Sequence, residues 1–282
     1  MREAWRGCDL IFFDCDSTLS KVEGIDELAR LKGKAARVGL LTNKAMAGEL
    51  DLAEVYGKRL QAIRPTRAQL KAIEERYWET AVDDAPAVIA ALHKLGKQVY
   101  IISGGLIDAV HGFGRRLGIA PDRIRAVELE YNELSGDWWR YHEPGAQQAQ
   151  TYLAYDHGPL TISDGKARII EELAAGSLGR RMMVGDGASD LAASGAVDVF
   201  VGFGGVVARE RVQTESALFL RSESLAALLP LAGGGRSWRK LQGGPYAAVY
   251  RKGISQARDA DMLRFRDASL REAFMREFED FT

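Results

Sequence analysis

Two aspartates one residue apart, Asp14 and Asp16, close the apolar run IFFDCDSTL at positions 11–19. Taking a carboxylate out of water is costly unless a cation, a proton or a hydrogen-bond donor compensates it. A carboxylate pair at the end of a buried strand is therefore a candidate site, because open α/β sheets bind ligands at the carboxyl ends of their strands. Ser17 and Thr18 follow at once with two hydroxyls. The alternative is a polar exit from the strand, with Asp16 or Ser17 capping the next helix.

Three later stretches have the same character. Ser103-Gly104-Gly105 follows the apolar segment QVYII (98–102) and precedes a helical pattern. A hydroxyl and two side-chain-free amides at a helix start suit an anion, although small residues there also serve simply to turn the chain. Lys166, in SDGKARII, opens another helix as a fixed cation for a phosphate or as a solvated charge. GDGASD (185–190) sets Asp186 and Asp190 among glycines that allow close backbone approach. Those acids also suit a helix cap and first turn, which the helix dipole favours. Each stretch alone is ambiguous, but all fall at strand ends or helix starts. Three or four carboxylates with few cations nearby call for a hard divalent ion, and all-oxygen ligation suits Mg2+.

The elements that must position these groups follow from periodicity. Residues 9–14 read as the first strand. From 22 to 77 apolar residues recur at helical spacing, as in Ile25, Leu28 and Leu31 and in Leu70, Ile73 and Tyr77, and no strand pattern intervenes. A βα rhythm resumes near Asp83. A helix opened by Pro86 and closed by Gly96 leads to strand 98–102, a helix through Val110 and Phe113, strand 125–131, helix 166–173, and strands 181–184 and 198–203. Strands alternating with helices predict an α/β fold, a parallel sheet covered by helices on both faces. The domains expected are a core (1–19 and 84–230), a small helical insertion (20–83) and a C-terminal extension (231–282) joined by a glycine linker at 233–235. Residues 132–162 read as a surface flap, with hairpin turn chemistry at 132–137. Near the end, Leu270, Phe274 and Phe278 stand four apart on an amphipathic helix, which predicts docking on the core or on a second subunit, a possible homodimer.

Composition narrows the function. The 282 residues are 46% apolar with a formal net charge of −1, so bulk charge favours neither nucleic acid nor a membrane surface. No apolar run approaches the ~20 residues of a membrane span. The charged start MREAWRGCDL does not read as a signal peptide. The two cysteines, Cys8 and Cys15, make no disulfide or metal pattern, and Cys15 reads as a small buried filler. A cytoplasmic location is expected.

With DCDST, ISGG, the Lys166 segment and GDGASD in this order, the chain resembles the haloacid dehalogenase (HAD) superfamily over roughly residues 9–230. VEGIDELA (22–29), AMAG (45–48), KRLQAIRPTR (58–67) and VGFGG (201–205) resemble its phosphoserine phosphatase family in particular. The resemblance implies a HAD-like Rossmannoid core with a type-one cap, and Mg2+-dependent hydrolysis of a small phosphorylated metabolite, O-phosphoserine, in serine biosynthesis. Another small phosphomonoester, or transfer of the phosphoryl group to an alcohol, is the alternative. It implies Asp14 as nucleophile and Asp16 as general acid and base. Asp14, the main-chain carbonyl of Asp16 and Asp186 would hold the metal, with Asp190 and the neighbouring Ser189 around its water shell. Ser103, Gly104 and Lys166 would bind the phosphoryl oxygens. In the cap, Glu23 would meet the substrate ammonium and Arg59 its carboxylate, with Met46 and Gly48 shaping the pocket. Leu52 stands where the family often has an aromatic residue, and the tail after 231 has no counterpart in it.

Overall fold

The computed structural model describes residues 5–46, 49–50, 52–279 and 281. Strand β1 (Leu10–Phe13) leads into four helices, α1 (Gly24–Leu31), α2 (Ala35–Met46), α3 (Leu52–Ile63) and α4 (Arg67–Glu79), the helical insertion that the spacing predicts. Thr66 caps α4 through a reciprocal box with Gln69. The chain continues through α5 (Ala85–Lys94), β2 (Gln98–Leu106), α6 (Ile107–Arg116), β3 (Ile124–Val127), β4 (Leu129–Asn132) and β5 (Thr151–Tyr155). Then follow α7 (Gly165–Leu173), β6 (Arg181–Gly185), α8 (Ala188–Ala192), β7 (Val199–Phe203), α9 (Glu210–Glu215), β8 (Leu218–Leu220) and α10 (Leu228–Gly233). The last elements are α11 (Trp238–Leu241), α12 (Ala247–Arg258), β9 (Leu263–Phe265) and α13 (Ala268–Glu277).

Seven strands form one sheet in the order β3-β2-β1-β6-β7-β8-β9, parallel throughout except for β9, which runs antiparallel to β8. Ile11, Phe12 and Phe13 of β1 are wholly buried, as expected for a parallel sheet covered on both faces. Phe13 pairs with Ile101 on one side and Val184 on the other, so β1, β2 and β6 deliver their carboxyl ends side by side.

The structure departs from the sequence reading in four places. Strand β2 runs on to Leu106 instead of ending at 102, and its pairing with β3 slips between Ile102 and Leu106, where the two glycines lie. The segment read as a single strand 125–131 divides: β3 stays in the sheet, while β4 leaves it to pair with β5 as a separate antiparallel hairpin. The connection of that hairpin is not a tight turn at 132–137 but the whole stretch to Thr151, and it exposes Leu134, Trp138, Trp139 and Tyr141. The glycines at 233–235 are no spacer: Gly233 ends α10, and Gly234 turns the chain at φ +69 straight into the next turn of helix.

Beyond that turn the tail is built into the core. The Trp5 indole donates to the Leu231 carbonyl at 3.0 Å and lies edge-on to Phe274 at 5.4 Å, and Phe265 packs against Phe274 at 5.6 Å. Phe274 and Phe278 are buried, whereas Leu270, expected on the same face, remains 37% exposed at the start of α13. Among the described residues no helix is long and apolar enough to cross a membrane. Phe274→Ala is expected to cost about 3–5 kcal/mol of stability through the cavity it leaves. Leu270→Ala should stay within about 0.5 kcal/mol, and urea unfolding of both variants measures the difference.

Candidate active site

The site begins where β1 ends. The Asp14 amide donates to the Val184 carbonyl at 2.9 Å, so this residue is still tied to the sheet while its side chain leaves it. Its Oδ1 lies 2.7 Å from Lys166 Nζ, and the same ammonium lies 2.6 Å from Asp190 Oδ1. All three side chains are buried. Two glycines make the convergence possible. A Cβ on Gly165 would fall 1.6 Å from the Pro159 carbonyl oxygen, and one on Gly185 would fall 2.2 Å from the Asp190 carboxyl carbon. Asp190 Oδ2 accepts the Gly187 amide at 2.9 Å, the helix-start role open to it in the sequence.

Asp186, at the end of β6, accepts Thr18 Oγ1 at 3.3 Å and Arg209 Nε at 3.0 Å. Carboxylate oxygens of Asp14, Asp186 and Asp190 lie within 4.8 Å of one another. Burial and the neighbouring Asp190 raise Asp14 well above the usual carboxylate range, against the pull of Lys166. Burial pushes Asp186 up to about 6 although Arg209 opposes it. Burial works against the Lys166 ammonium, but Asp14 and Asp190 hold its pKa above the ordinary lysine value. Three all-oxygen donors, crowded and electrostatically uncomfortable, fit a hard divalent cation.

Asp16 is held from the other side. Its Oδ1 accepts the Gly24 amide at 2.7 Å, at the start of α1, and the Tyr77 hydroxyl at 2.6 Å, from α4. Its Oδ2 is 3.5 Å from Ser103 Oγ, which accepts the Gly105 amide at 2.9 Å. Burial raises the Asp16 carboxyl above its usual value, while the Tyr77 and Gly24 donors favour its charged form.

Asp14 and Asp16 line one end of a cavity between the core and the helical insertion. Gly104, Lys166 and Ser189 line it from the core, and Glu23, Tyr56 and Arg59 from the cap, beside apolar Leu28, Leu70 and Ile73. Glu23 Oε1 accepts Ser17 Oγ at 2.9 Å and lies 3.6 Å from Arg209 Nη2; burial, then Asp16 and Asp186, raise its pKa well above the normal value. Arg59 Nη1 donates to Thr42 Oγ1 at 3.1 Å, and Thr42 donates to Asp26 at 2.8 Å. The buried Arg59 Nε finds no hydrogen-bond partner among the described residues. Met46 ends α2, but its side chain and the whole of Gly48 lie outside the described residues.

The structure therefore brings Asp14, Asp16, Ser103, Gly104, Lys166, Asp186, Ser189, Asp190, Glu23 and Arg59 to one place. Sequence reasoning missed Arg209, Tyr77 and Tyr56. Arg209 had a signal, since it follows the glycines after a fifth strand end, that of β7. Tyr77 was indistinguishable from a core residue at helical spacing. Glycine chemistry separates the neighbours in the β2 bulge. A Cβ on Gly105 would meet Asp16 Oδ2 at 2.8 Å and Val110 Cγ2 at 3.0 Å, whereas on Gly104 it would meet only the Leu160 carbonyl at 3.5 Å. Gly105→Ala should destabilise by about 1–3 kcal/mol, and Gly104→Ala by less than about 1 kcal/mol, as read by thermal denaturation.

Comparison with known proteins places this geometry. Residues 8–198 match the haloacid dehalogenase-like hydrolase profile. Phosphoserine phosphatase of Mus musculus is 29% identical over 222 residues, 78% of this chain and 92% of that protein. The chloroplastic phosphoserine phosphatase of Arabidopsis thaliana is 32% identical over 231 residues, 79% of this chain and 72% of that protein. A solved structure of a phospho-aspartyl intermediate analogue of phosphoserine phosphatase superposes with TM-score 0.66 at 24% identity, covering 79% of this chain and 98% of the other. A buried aspartate–lysine–aspartate cluster at parallel strand ends, a helical insertion after the first strand and a profile match across most of the core agree: the chain belongs to the haloacid dehalogenase-like hydrolases.

Proposed function

We propose that this protein is an Mg2+-dependent phosphatase that hydrolyses O-phosphoserine to serine and phosphate through an aspartyl-phosphate. One observation carries the reading. A single cavity has the Asp14–Lys166 pair at its core end and the unlike charges of Glu23 and Arg59 on its cap side. A phosphate monoester of a three-carbon amino acid needs all of these at once. The ammonium pairs with Glu23, the carboxylate takes the spare donors of Arg59, and the phosphoryl oxygens meet Lys166, Ser103 and the Gly104 amide. The phosphoserine phosphatase relatives support the same substrate.

In this reading Asp14 attacks phosphorus, and the negative charge of the transferring group is met by Lys166 and the amides of the β2 bulge. Asp16, whose pKa burial raises, gives a proton to the leaving serine oxygen and then takes one from the water that cleaves the acyl-phosphate. Mg2+, held by Asp14, Asp186 and the Asp16 carbonyl with Asp190 and Ser189 beside them, would supply Lewis-acid stabilisation of the phosphoryl charge. The two buried free thiols, Cys8 and Cys15, suit a reducing compartment such as the cytoplasm.

Free phosphate released in Mg2+, with EDTA as the control, tests the reading. Asp14→Asn should abolish turnover of phosphoserine. Phosphoethanolamine, which lacks the carboxylate, should be a poor substrate, and Arg59→Met should lower kcat/KM for phosphoserine on the order of 10²-fold; equal turnover of the two esters by the unaltered enzyme would refute the role of Arg59. The pH profile tests Asp16 separately. Tyr77 favours the charged form of Asp16, so Tyr77→Phe raises the pKa of that carboxyl further. The protonated acid then persists to higher pH, and the alkaline limb of kcat/KM should move upward.

A further inference from the structure

We infer that Tyr56 is a positioning residue that clamps the Gly104–Gly105 peptide, coupling the seating of the cap to the phosphoryl end of the site. The inference rests on the phosphatase reading above for its catalytic meaning, but the clamp itself is a matter of geometry. Tyr56 belongs to α3 in the cap, is buried, and donates its hydroxyl to the Gly104 carbonyl of the core at 2.9 Å. The other end of that same peptide, the Gly105 N–H, donates to Ser103 Oγ at 2.9 Å. One peptide plane is thus held at both ends, by a cap phenol and by a core hydroxyl.

The Gly104 end has few other restraints. Two successive glycines offer the peptide no side chain and a wide choice of backbone angles. The ladder is irregular here, because the β2–β3 pairing slips between Ile102 and Leu106. Packing is close only around Gly105, where a Cβ would meet Asp16 Oδ2 at 2.8 Å; on Gly104 it would be in no more than ordinary contact with the Leu160 carbonyl, at 3.5 Å. A rotated peptide would take the Gly105 N–H away from Ser103, whose hydroxyl lies 3.5 Å from Asp16 Oδ2, and would turn the bulge away from the cavity. The Tyr56 ring, by contrast, is well aimed. It packs on Tyr155 at 5.2 Å and lies 5.4 Å from the Arg59 guanidinium, and Tyr155 in turn packs against His157 at 4.3 Å. Burial raises the phenol pKa, which keeps the hydroxyl a donor.

The chain of contacts therefore runs from cap helix to phenol, peptide, serine hydroxyl and acid. Ring packing accounts for a tyrosine or a phenylalanine equally well; only the hydroxyl reaches the core. Tyr56→Phe isolates it. The variant should melt within about 2–4 °C of the parent. Hydrogen exchange followed by NMR should show the Gly105 amide exchanging about tenfold faster, with the β1 amides unchanged. The kcat should fall about three- to tenfold on every phosphomonoester the parent enzyme hydrolyses, with KM for phosphoserine nearly unaltered. Unchanged exchange at Gly105 overturns the clamp, and does so even if the parent fails to hydrolyse phosphoserine, a result that would instead refute the substrate reading. Unchanged kcat, or a loss confined to KM for phosphoserine, overturns the positioning role and leaves Tyr56 as a pocket wall.

Discussion

The whole molecule depends on keeping like charges buried together. Asp14 and Asp190 share the Lys166 ammonium at 2.7 and 2.6 Å, Asp186 leans on Arg209 at 3.0 Å, and the three carboxylates converge at the ends of parallel strands. Such a cluster is expensive to desolvate, and the attraction between its members offsets that cost only where the geometry is tight. The tightness comes from the sheet. Parallel pairing of β1 with both β2 and β6 fixes the three strand ends in register, and glycines at 165 and 185 remove the atoms that would keep the ion pairs apart. A stable apolar β1 is therefore the prerequisite for the charges beyond it.

The two central aspartates are supported by different parts of the molecule. Asp14 is fixed by the core, through the Val184 carbonyl and Lys166. The Oδ1 of Asp16 is fixed by the cap, through the first turn of α1 and the phenol of Tyr77. Neither group relies on its neighbour in sequence, even though one buried residue, Cys15, separates them. The position of the helical insertion thus decides the surroundings of the Asp16 carboxyl.

What could be read from the chain followed its periodicity. The buried runs at 10–13, 182–185 and 199–203 are strands because nothing polar interrupts them, and the helical insertion is visible because Ile25, Leu28, Leu70 and Ile73 keep one face. Strand-end aspartates stood out because their chemistry contrasts with the apolar residues before them, and Lys166 because it opens a helix beside glycine. The missed features are those in which tertiary structure overrides a local signal. Glycines 104 and 105 read as a turn, yet they lie within β2 as a bulge. Residues 125–131 read as one strand, and only the spatial need of β4 to reach β5 divides them. Tyr77 looked like a core residue and Tyr56 carried no signal, because their hydroxyl partners, Asp16 and Gly104, are distant in sequence. The glycines at 233–235 looked flexible, but Gly234 is a single left-handed corner on a buried path.

The antiparallel β9 has a consequence for how the molecule behaves among its own copies. Without it, β8 would present a row of unsatisfied amides and carbonyls, a template for adding strands from neighbouring molecules. The tail fills that row with three residues, Leu263–Phe265. The strand that then becomes outermost is too short to recruit another and carries Arg264, with Arg266 immediately after it. A sheet that ends this way resists edge-to-edge aggregation, so the tail guards the far edge of the layer whose strand ends hold the buried carboxylates.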